Sequence, residues 1–187
     1  GSEMCIRDRN GMGRIGRMIV RAIIENNNKN IEIKHINNRT NLKACATLLK
    51  YDSVQGVSPY EVYSDSEGLV INGKHIKIIA ESDPANLPWK QLGVDIVIES
   101  TALFTKRDAA KKHISAGAKK VIISAPATDP DVTIVLGVNE ESYNSSEHQI
   151  ISNASCTTNC LDTLAKVIYK RFGIKNGFMA TIHSYTN

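Results

Sequence analysis

The sequence lacks the cysteine and hydrophobic patterns that define several protein classes. Its four cysteines are too few for a disulfide framework in 187 residues, and none forms the paired C-x-x-C spacing of a zinc site. No apolar run approaches the roughly 18 residues that a membrane-spanning helix requires. Residues 1–9 also lack the apolar core of a signal peptide. From these absences we predict a reducing, cytoplasmic setting, no metal centre and no membrane partner.

A strong excess of one charge is also missing. The 23 basic and 19 acidic residues give a formal net charge of +4, and the basic residues are scattered. The densest cluster, Lys111-Lys112 with Lys119-Lys120, is interleaved with apolar residues, which is typical of a solvated helix face. We therefore predict no nucleic-acid partner.

Strand patterns alternate with helix patterns along the chain, without internal repeats or low-complexity tracts. This order predicts an α/β fold with a doubly wound, Rossmann-type, mostly parallel sheet. Asn72-Gly73 is a strong two-residue hairpin signal between short alternating runs. Apolar periodicity predicts helices over 15–28, 42–51 and 156–172. A further helix ends near residue 116 and opens with a capping box at Thr105 and Asp108. The same periodicity predicts strands over 31–36, 94–98, 120–124, 132–138, 150–152 and a last one rising to residue 183.

The spacing of Gly11, Gly13 and Gly16 is that of a dinucleotide-binding loop at the start of a helix. Glycines there let a pyrophosphate approach the backbone, and the N–H groups and dipole of the helix neutralise it. Arg14 and Arg17 add positive charge nearby. The alternative is a flexible glycine-rich turn at a helix start.

The acidic residue that normally holds the ribose hydroxyls is absent from the end of the next strand. Asn38 stands there, followed by Arg39. Loss of a carboxylate removes repulsion against a 2′-phosphate, and an arginine can pair with one. The pattern favours NADP or dual use over NAD alone. The alternative is a neutral ribose contact beside a solvated arginine.

The stretch SNASCTTNC places Cys156 after a strand and a turn of small residues, at the start of a helix. A helix N-terminus favours the thiolate form that acts as a nucleophile. The alternative, an inert core cysteine, fits poorly with the dense polar neighbours. Cys160 is assigned to packing.

His183 can return to the start of that helix. The helix travels about 24 Å, and the ten residues after Gly173 span about 33 Å when extended. A cysteine and a histidine at that point would act as nucleophile and general base. The other histidines, His35, His75, His113 and His148, are interpreted as surface or structural.

Taken together, these motifs resemble the phosphorylating glyceraldehyde-3-phosphate dehydrogenases from Asn10 to Asn187. The matching stretches, in chain order, are NGMGRIGR, LLKYDSVQG, LPW, ESTALFT, ISAPA, GVN, SNASCTTNC and HSYTN. The resemblance implies oxidation of glyceraldehyde 3-phosphate to 1,3-bisphosphoglycerate with NAD or NADP and inorganic phosphate, by a homotetramer. The alternatives are erythrose-4-phosphate dehydrogenase and a cofactor-binding fragment without turnover.

The resemblance also implies roles for individual residues. Cys156 would be the nucleophile and His183 its base. Ser155, Thr157 and Thr186 match positions that hold substrate phosphate groups. The implied cofactor contacts are Asn10, Gly11, Gly13, Arg14, Ile15, Gly16, Asn38, Arg39, Ser82 and Ser124.

The resemblance divides the chain into a dinucleotide-binding domain over 10–154 and the start of an α+β catalytic domain over 155–187. The family continues beyond the position of Asn187, so we expect the chain alone to be inactive. Ser82 replaces a frequent arginine or lysine, Ala102 replaces a glycine, and Asp162-Thr163 replaces Ala-Pro.

Residues 1–9 depart most from the resemblance. An apolar strand is expected before Asn10, yet Arg7, Asp8 and Arg9 stand there. Unpaired burial of each charge would cost several kcal/mol. We therefore expect residues 1–9 to be a non-native leader.

Overall fold

The structure, a computed structural model, describes residues 5–27 and 29–183, with the backbone alone for residues 5–9. Five α-helices alternate with strands. The helices are α1 (Arg14–Glu25), α2 (Leu42–Lys50), α3 (Trp89–Leu92), α4 (Arg107–Ser115) and α5 (Cys156–Phe172). The strands are β1 (Cys5–Asn10), β2 (Ile31–Glu32), β3 (His35–Asn37), β4 (Tyr51–Asp52), β5 (Gly56–Val57), β6 (Val62–Ser64), β7 (Gly68–Ile71), β8 (Lys74–Ile79), β9 (Ile96–Glu99), β10 (Lys120–Ile123), β11 (Val132–Thr133) and β12 (Ile150–Ser152).

One large sheet organises the chain, in the order β11-β12-β10-β9-β1-β3-β8-β7-β6, with β2 paired to β1. The pairings from β11 to β8 are all parallel. The chain builds the sheet outward from β1 in both directions, first through β3 and β8 on one side and then through β9 and β10 on the other. This arrangement confirms the predicted Rossmann-type α/β fold, whose ligands bind at the carboxyl ends of the strands near such a switch point.

The backbone of β1 forms the centre of this sheet despite its charged sequence. Arg7 to Asn10 pair with Ile96 to Glu99 of β9, and Arg9 pairs with Ile36 of β3. The strand that the glycine loop requires is therefore present.

An antiparallel hairpin extends the parallel sheet beyond β8. Asn72 and Gly73 join β7 to β8 with φ angles of +50° and +75°. Positive φ at both central residues is the geometry that favours Asn-Gly in two-residue turns. The hairpin prediction is confirmed.

Apolar side chains fill both faces of the sheet. One cluster joins Val20 of α1 and Leu49 of α2 to Ile36 and Leu69 of the sheet. Another surrounds Trp89, and a third packs α4 against β10 and β12. Burial of these side chains, at roughly 1.5–3 kcal/mol each, holds the carboxyl ends of the strands in register.

Several predicted boundaries differ from the structure. Residues 31–36 divide into β2 and β3, and the strand predicted over 132–138 is limited to Val132–Thr133. Thr105 is not the cap of α4, because Lys106 occupies that position without a side-chain hydrogen bond. The strand predicted up to residue 183 is wrong: residues 174–183 are exposed and join no described strand, so their backbone has no ladder partner.

Within the described residues, no helix is long and apolar enough to cross a membrane. The same residues contain no group of three or more histidine, cysteine or acidic side chains arranged for a metal ion.

Candidate active site

The candidate site lies along the carboxyl ends of the parallel strands. Chain segments leaving β1, β3, β8, β9, β10 and β12 meet at this edge because all six strands point the same way. The candidate catalytic, cofactor and phosphate residues predicted from the sequence belong to these segments or to the chain that returns to α5. Thr186 is the exception, because it lies outside the described residues.

The glycine loop leaves β1 in a conformation that excludes a side chain at Gly11. Gly11 has a φ of +96°, and its N–H donates to the Asn37 carbonyl at 2.9 Å. A Cβ atom there would lie 2.8 Å from Thr101 Cγ2 and 3.0 Å from the Ser100 backbone. The loop is thus packed directly against the segment that follows β9.

The start of α1 presents unpaired backbone donors. Gly13 occupies the cap position without a side-chain hydrogen bond, and the first turn holds no acidic residue. A Cβ on Gly13 would meet nothing within 4 Å, so the space over the helix N-terminus is open. An uncapped, open helix N-terminus fits the pyrophosphate of a dinucleotide.

The two arginines near this loop are both engaged within the chain. Arg14 Nη1 lies 3.2 Å from Asp52 Oδ2. Backbone N–H groups of Gln55 and Val54, and then Arg14, hold the pKa of Asp52 below its usual range. Arg17 is buried, and its Nη1 donates to the Met12 carbonyl at 3.0 Å. Both guanidinium groups therefore have partners within the chain, although Arg14 stays partly exposed, and the first-turn N–H groups of α1 add further donors.

Asn38, at the ribose position after β3, is buried and turns its amide nitrogen inward. Its Nδ2 donates to Cys45 Sγ at 3.0 Å and lies 3.5 Å from the Thr40 carbonyl. Burial raises the pKa of the Cys45 thiol, opposed by the Asn38 hydrogen bond and the charge of Arg17. Arg39 is exposed. The thiol is thus a neutral partner that fixes the orientation of the Asn38 amide.

A buried polar chain, which the sequence did not predict, links the strand ends beneath the loop. Asn37 Nδ2 donates to Asn10 Oδ1 at 2.7 Å, and Asn10 Nδ2 donates to Glu99 Oε2 at 2.6 Å. His113 Nε2 lies 3.1 Å from the same Glu99 oxygen, and Trp89 Nε1 donates to His113 Nδ1 at 3.0 Å. His113 is structural, as expected, but its partner belongs to the site.

Two serines lie at this sheet edge, one on either side of the buried polar chain. The open space between them, along the glycine loop, is called the crevice. Ser124, after β10, donates to the Ser100 hydroxyl at 2.9 Å and lies 3.2 Å from the Glu99 carbonyl. Ser82 is exposed after β8, and its hydroxyl lies 3.4 Å from Glu81 Oε1. Ile15 is also exposed, at the second position of α1.

Cys156 begins α5 and is exposed. The turn from β12 passes through Ala154, whose φ of +56° reverses the chain just before the helix. Ser155 caps the helix, because its Oγ accepts the Thr158 N–H at 2.9 Å. The geometry places an exposed thiol in the first turn of a helix, at the carboxyl end of β12.

The chain after α5 brings His183 back to the first turn of that helix. His183 Nε2 lies 3.3 Å from Thr157 Oγ1 and 2.7 Å from Thr181 Oγ1. The described hydrogen bonds of His183 therefore reach the neighbour of Cys156 rather than its sulfur. Cys160, expected to pack, is exposed in the described chain because its helix face has no covering element there.

Comparisons with known proteins point to one family. A family model described as "Glyceraldehyde 3-phosphate dehydrogenase, NAD binding domain" matches residues 8–107, and the C-terminal domain model of the same family matches residues 155–187. Among similar proteins, a glyceraldehyde-3-phosphate dehydrogenase of Priestia megaterium is 58% identical over 178 residues, which are 95% of this chain and 52% of the relative. The corresponding enzyme of Thermotoga maritima is 52% identical over 95% of this chain and 53% of its own length.

The chain spans about half the length of these curated relatives. The glycine loop lies within the match to the first family model, and Cys156 lies within the match to the second. The chain belongs to the glyceraldehyde-3-phosphate dehydrogenase family.

Proposed function

We propose that the protein to which this chain belongs oxidises glyceraldehyde 3-phosphate to 1,3-bisphosphoglycerate, using NAD(P) and inorganic phosphate. The observation that carries the proposal is the position of Cys156. An exposed thiol opens α5 at the same sheet edge where an uncapped glycine loop opens α1. One edge thus combines a nucleophile with a dinucleotide cradle, and the family supports the same pairing.

Cys156 and His183 are proposed as nucleophile and base. The Cys156 sulfur adds to the aldehyde carbon, and His183 accepts the proton of the resulting hemithioacetal hydroxyl. A bound nicotinamide supplies the hydride acceptor for this oxidation. Oxidation leaves the former aldehyde carbon bonded to the Cys156 sulfur as a thioester. Inorganic phosphate then adds to that carbon and expels the Cys156 thiolate. In the substrate-bound protein His183 would turn from Thr157 towards the reacting carbon.

Hydroxyl groups beside Cys156 are proposed to hold the phosphate groups of the substrates. Ser155 and Thr157 flank the thiol in the first turn of α5, where the helix dipole favours anions. Thr186 is proposed for the same role from the family resemblance. The Thr157 hydroxyl reaches His183, so phosphate binding and the orientation of the base would share one side chain.

Around the cofactor, the chain's residues fit the pyrophosphate and the adenosine ribose of a dinucleotide. The proposed pyrophosphate contacts are the backbone groups of Asn10, Gly11, Gly13, Arg14, Ile15 and Gly16. Asn38 would contact the adenosine ribose, while Ser82 and Ser124 border the crevice on its two sides. NAD binding is a property of the family's matched domain.

Use of NADP in addition to NAD is part of the proposal. Arg39 is exposed next to the ribose position, where it can pair with a 2′-phosphate. Asn38 lacks the carboxylate that would repel that phosphate. Its buried orientation, with the amide nitrogen on Cys45, limits the preference to dual use instead of strict NADP use.

Beside the activity we propose a division into domains over 10–154 and 155–187, a homotetrameric assembly and a reducing, cytoplasmic setting. The foreign origin of residues 1–9 is proposed from the charges of Arg7, Asp8 and Arg9 alone, since the family model matches from residue 8. The separate matches of two family models support the division. The free state of Cys45, Cys156 and Cys160 supports the setting.

The substrate can be tested with two proteins. One is this chain alone, and the other is this chain joined to the remaining half of the Priestia megaterium relative's sequence. We expect the joined protein to reduce NAD with glyceraldehyde 3-phosphate and inorganic phosphate, and the chain alone to bind cofactor without turnover. Initial rates with erythrose 4-phosphate provide the comparison. A rate with that aldehyde higher by about tenfold or more, which is about 1.4 kcal/mol in barrier, would assign the other substrate.

A further inference from the structure

Glu99, the last residue of β9, is an acceptor on which four hydrogen-bond donors converge. Oε2 receives Asn10 Nδ2 at 2.6 Å and lies 3.1 Å from His113 Nε2. Oε1 receives the Thr101 N–H at 2.7 Å and the Thr101 hydroxyl. The Glu99 and His113 side chains have no exposed surface. A buried carboxylate is stable only when its oxygens are satisfied in this way.

The partners of His113 fix its protonation. An indole N–H can only donate, so the hydrogen bond from Trp89 Nε1 requires His113 Nδ1 to be an acceptor. The imidazole proton must then lie on Nε2, where it is donated to Glu99 Oε2. His113 is therefore neutral and held in one tautomer. Among the described residues no lysine or arginine pairs with Glu99, and the partners that the structure describes for its oxygens are hydrogen-bond donors.

This convergence connects the two walls of the crevice. Asn10 immediately precedes Gly11, and a Cβ atom built on Gly11 would lie 2.8 Å from the Thr101 methyl carbon. Asn10 also accepts from Asn37, whose carbonyl receives the Gly11 N–H. The backbone ladder between β1 and β9 reaches this point, where the Ser100 N–H donates to the Asn10 carbonyl at 2.8 Å. Beyond that ladder, the side-chain link between the glycine loop and the segment after β9 runs through one carboxylate.

We propose that Glu99, backed by the single-tautomer His113, is a positioning residue that sets the spacing of the dinucleotide crevice. The proposal rests on the proposed cofactor site and assigns to it two residues that do not line it. It predicts that removing the charge of Glu99 opens the crevice, even when the shape of the side chain is kept.

Glu99→Gln tests the proposal. In this variant the glutamine Oε1 atom can keep both hydrogen bonds from Thr101. The glutamine NH₂ group then faces the N–H donors of Asn10 and His113, so two pairs of donors oppose each other. His113 Nε2 could accept a hydrogen bond only if the ring proton moved to Nδ1, where it would face the Trp89 indole N–H. We expect NAD to bind about tenfold or more weakly, which is about 1.4 kcal/mol. We also expect the Gly11 amide to exchange its hydrogen faster and the Trp89 indole signal to shift.

Matched variants separate positioning from general destabilisation. Glu25→Gln removes a charge at the opposite end of α1 from the glycine loop, so NAD affinity and Gly11 exchange should be unchanged. His113→Gln retains an N–H for Glu99 and loses the Trp89 acceptor. It should shift the indole signal while NAD affinity stays within about threefold, well under 1.4 kcal/mol. His113→Leu, which loses both bonds, should behave like Glu99→Gln.

Each outcome is decisive for a different claim. A folded Glu99→Gln chain with wild-type NAD affinity and wild-type Gly11 exchange would overturn the positioning role. Equal losses of affinity in His113→Gln and His113→Leu would assign those losses to packing instead. A wild-type chain that fails to bind NAD would contradict the proposed cofactor site, whereas Gly11 exchange would still test the role of Glu99.

Discussion

Asn38 and Cys45 are joined by a hydrogen bond of 3.0 Å between the Asn38 amide nitrogen and the Cys45 sulfur. Asn38 belongs to the proposed ribose site, and Cys45 lies on α2, the next helix along the chain. The bond therefore fixes the orientation of the Asn38 amide from the interior of the protein. Because the nitrogen is turned towards α2, the amide oxygen is the group left for the crevice. An oxygen acceptor suits a ribose hydroxyl and opposes a 2′-phosphate.

Removal of the Cys45 acceptor should therefore shift the cofactor preference towards NADP. In Cys45→Ala the Asn38 amide is free to rotate and offer N–H groups to a 2′-phosphate. We expect the NADP-to-NAD affinity ratio to rise by about threefold to tenfold, up to 1.4 kcal/mol, in calorimetric titrations. Cys45→Ser retains an acceptor and is the control. An unchanged ratio in Cys45→Ala would show that Asn38 orientation does not govern the choice.

Asn38→Asp should shift the preference in the opposite direction. A carboxylate accepts both ribose hydroxyls and repels a 2′-phosphate. The NAD-to-NADP affinity ratio should increase by about tenfold or more. Asn26→Asp adds the same charge at the far end of α1 and should leave the ratio alone. Equal NADP binding by wild type and Asn38→Asp would contradict contact between residue 38 and the 2′ position.

Ala102→Gly should stabilise the chain. Ala102 has a φ of +62°, a left-handed conformation that costs a residue with a Cβ atom about 1–2 kcal/mol. The greater freedom of glycine in the unfolded chain offsets part of this gain, so we expect about 1 kcal/mol in urea unfolding. Ala109→Gly, inside α4, should instead lose about 1 kcal/mol. A loss in Ala102→Gly would mean that the methyl group contributes packing that outweighs the strain.

Cys156→Ser should abolish oxidation in the joined protein and leave NAD affinity within about twofold, a small fraction of 1.4 kcal/mol. The serine hydroxyl is a far weaker nucleophile at neutral pH, and α1 does not depend on it. Cys160→Ser, one turn further along α5, is the matched control and should stay active. Thioester formation by Cys156→Ser with a labelled aldehyde would place the nucleophile elsewhere.

Asp131 should make stability depend on acid pH. Burial favours the neutral acid, but the N–H groups of Ile150 and Gln149 and the ion pair with Arg107 outweigh it and lower the pKa of Asp131. A carboxyl whose pKa is depressed by folding stabilises the native state above its unfolded value of about 3.9, and this contribution is lost as pH falls through the folded pKa.

Asp131→Asn should consequently cost about 1.5–3 kcal/mol at pH 7, the scale of hydrogen bonds to a charged group. The difference from wild type should shrink below about pH 4. Urea unfolding at several pH values measures it, with Asp129→Asn as a neighbouring control that should stay within about 0.5 kcal/mol. A difference that is constant down to the lowest pH would exclude the charge of Asp131 as its cause.

Patterns local in sequence predicted much of the fold. The Asn72-Gly73 turn, the helix at Cys156 and the glycine loop depend on a few adjacent residues, and the structure contains all three. The boundaries of β11 and the course of residues 174–183 depend on partners elsewhere in the chain, so apolar alternation alone gave strands that were too long. For β1, the charged sequence obscured a strand that its two neighbours define.

The candidate site was predictable only where it has a motif. Gly11, Asn38 and Cys156 stand in recognisable stretches, but the link from Trp89 through His113 to Glu99 joins residues from three separate segments. A histidine in an amphipathic helix carries no sign of its partner. A possible signal was Glu99 itself, a charged residue that ends an otherwise apolar run.

The large sheet ends in very short strands on both sides. β11 has two residues and β6 has three, so each edge offers few unpaired backbone groups to another strand. Short edges protect a sheet from pairing with the sheet of a neighbouring molecule. Copies of this chain are therefore expected to associate through side-chain surfaces of helices and loops, and the sheet itself resists growth into fibrils.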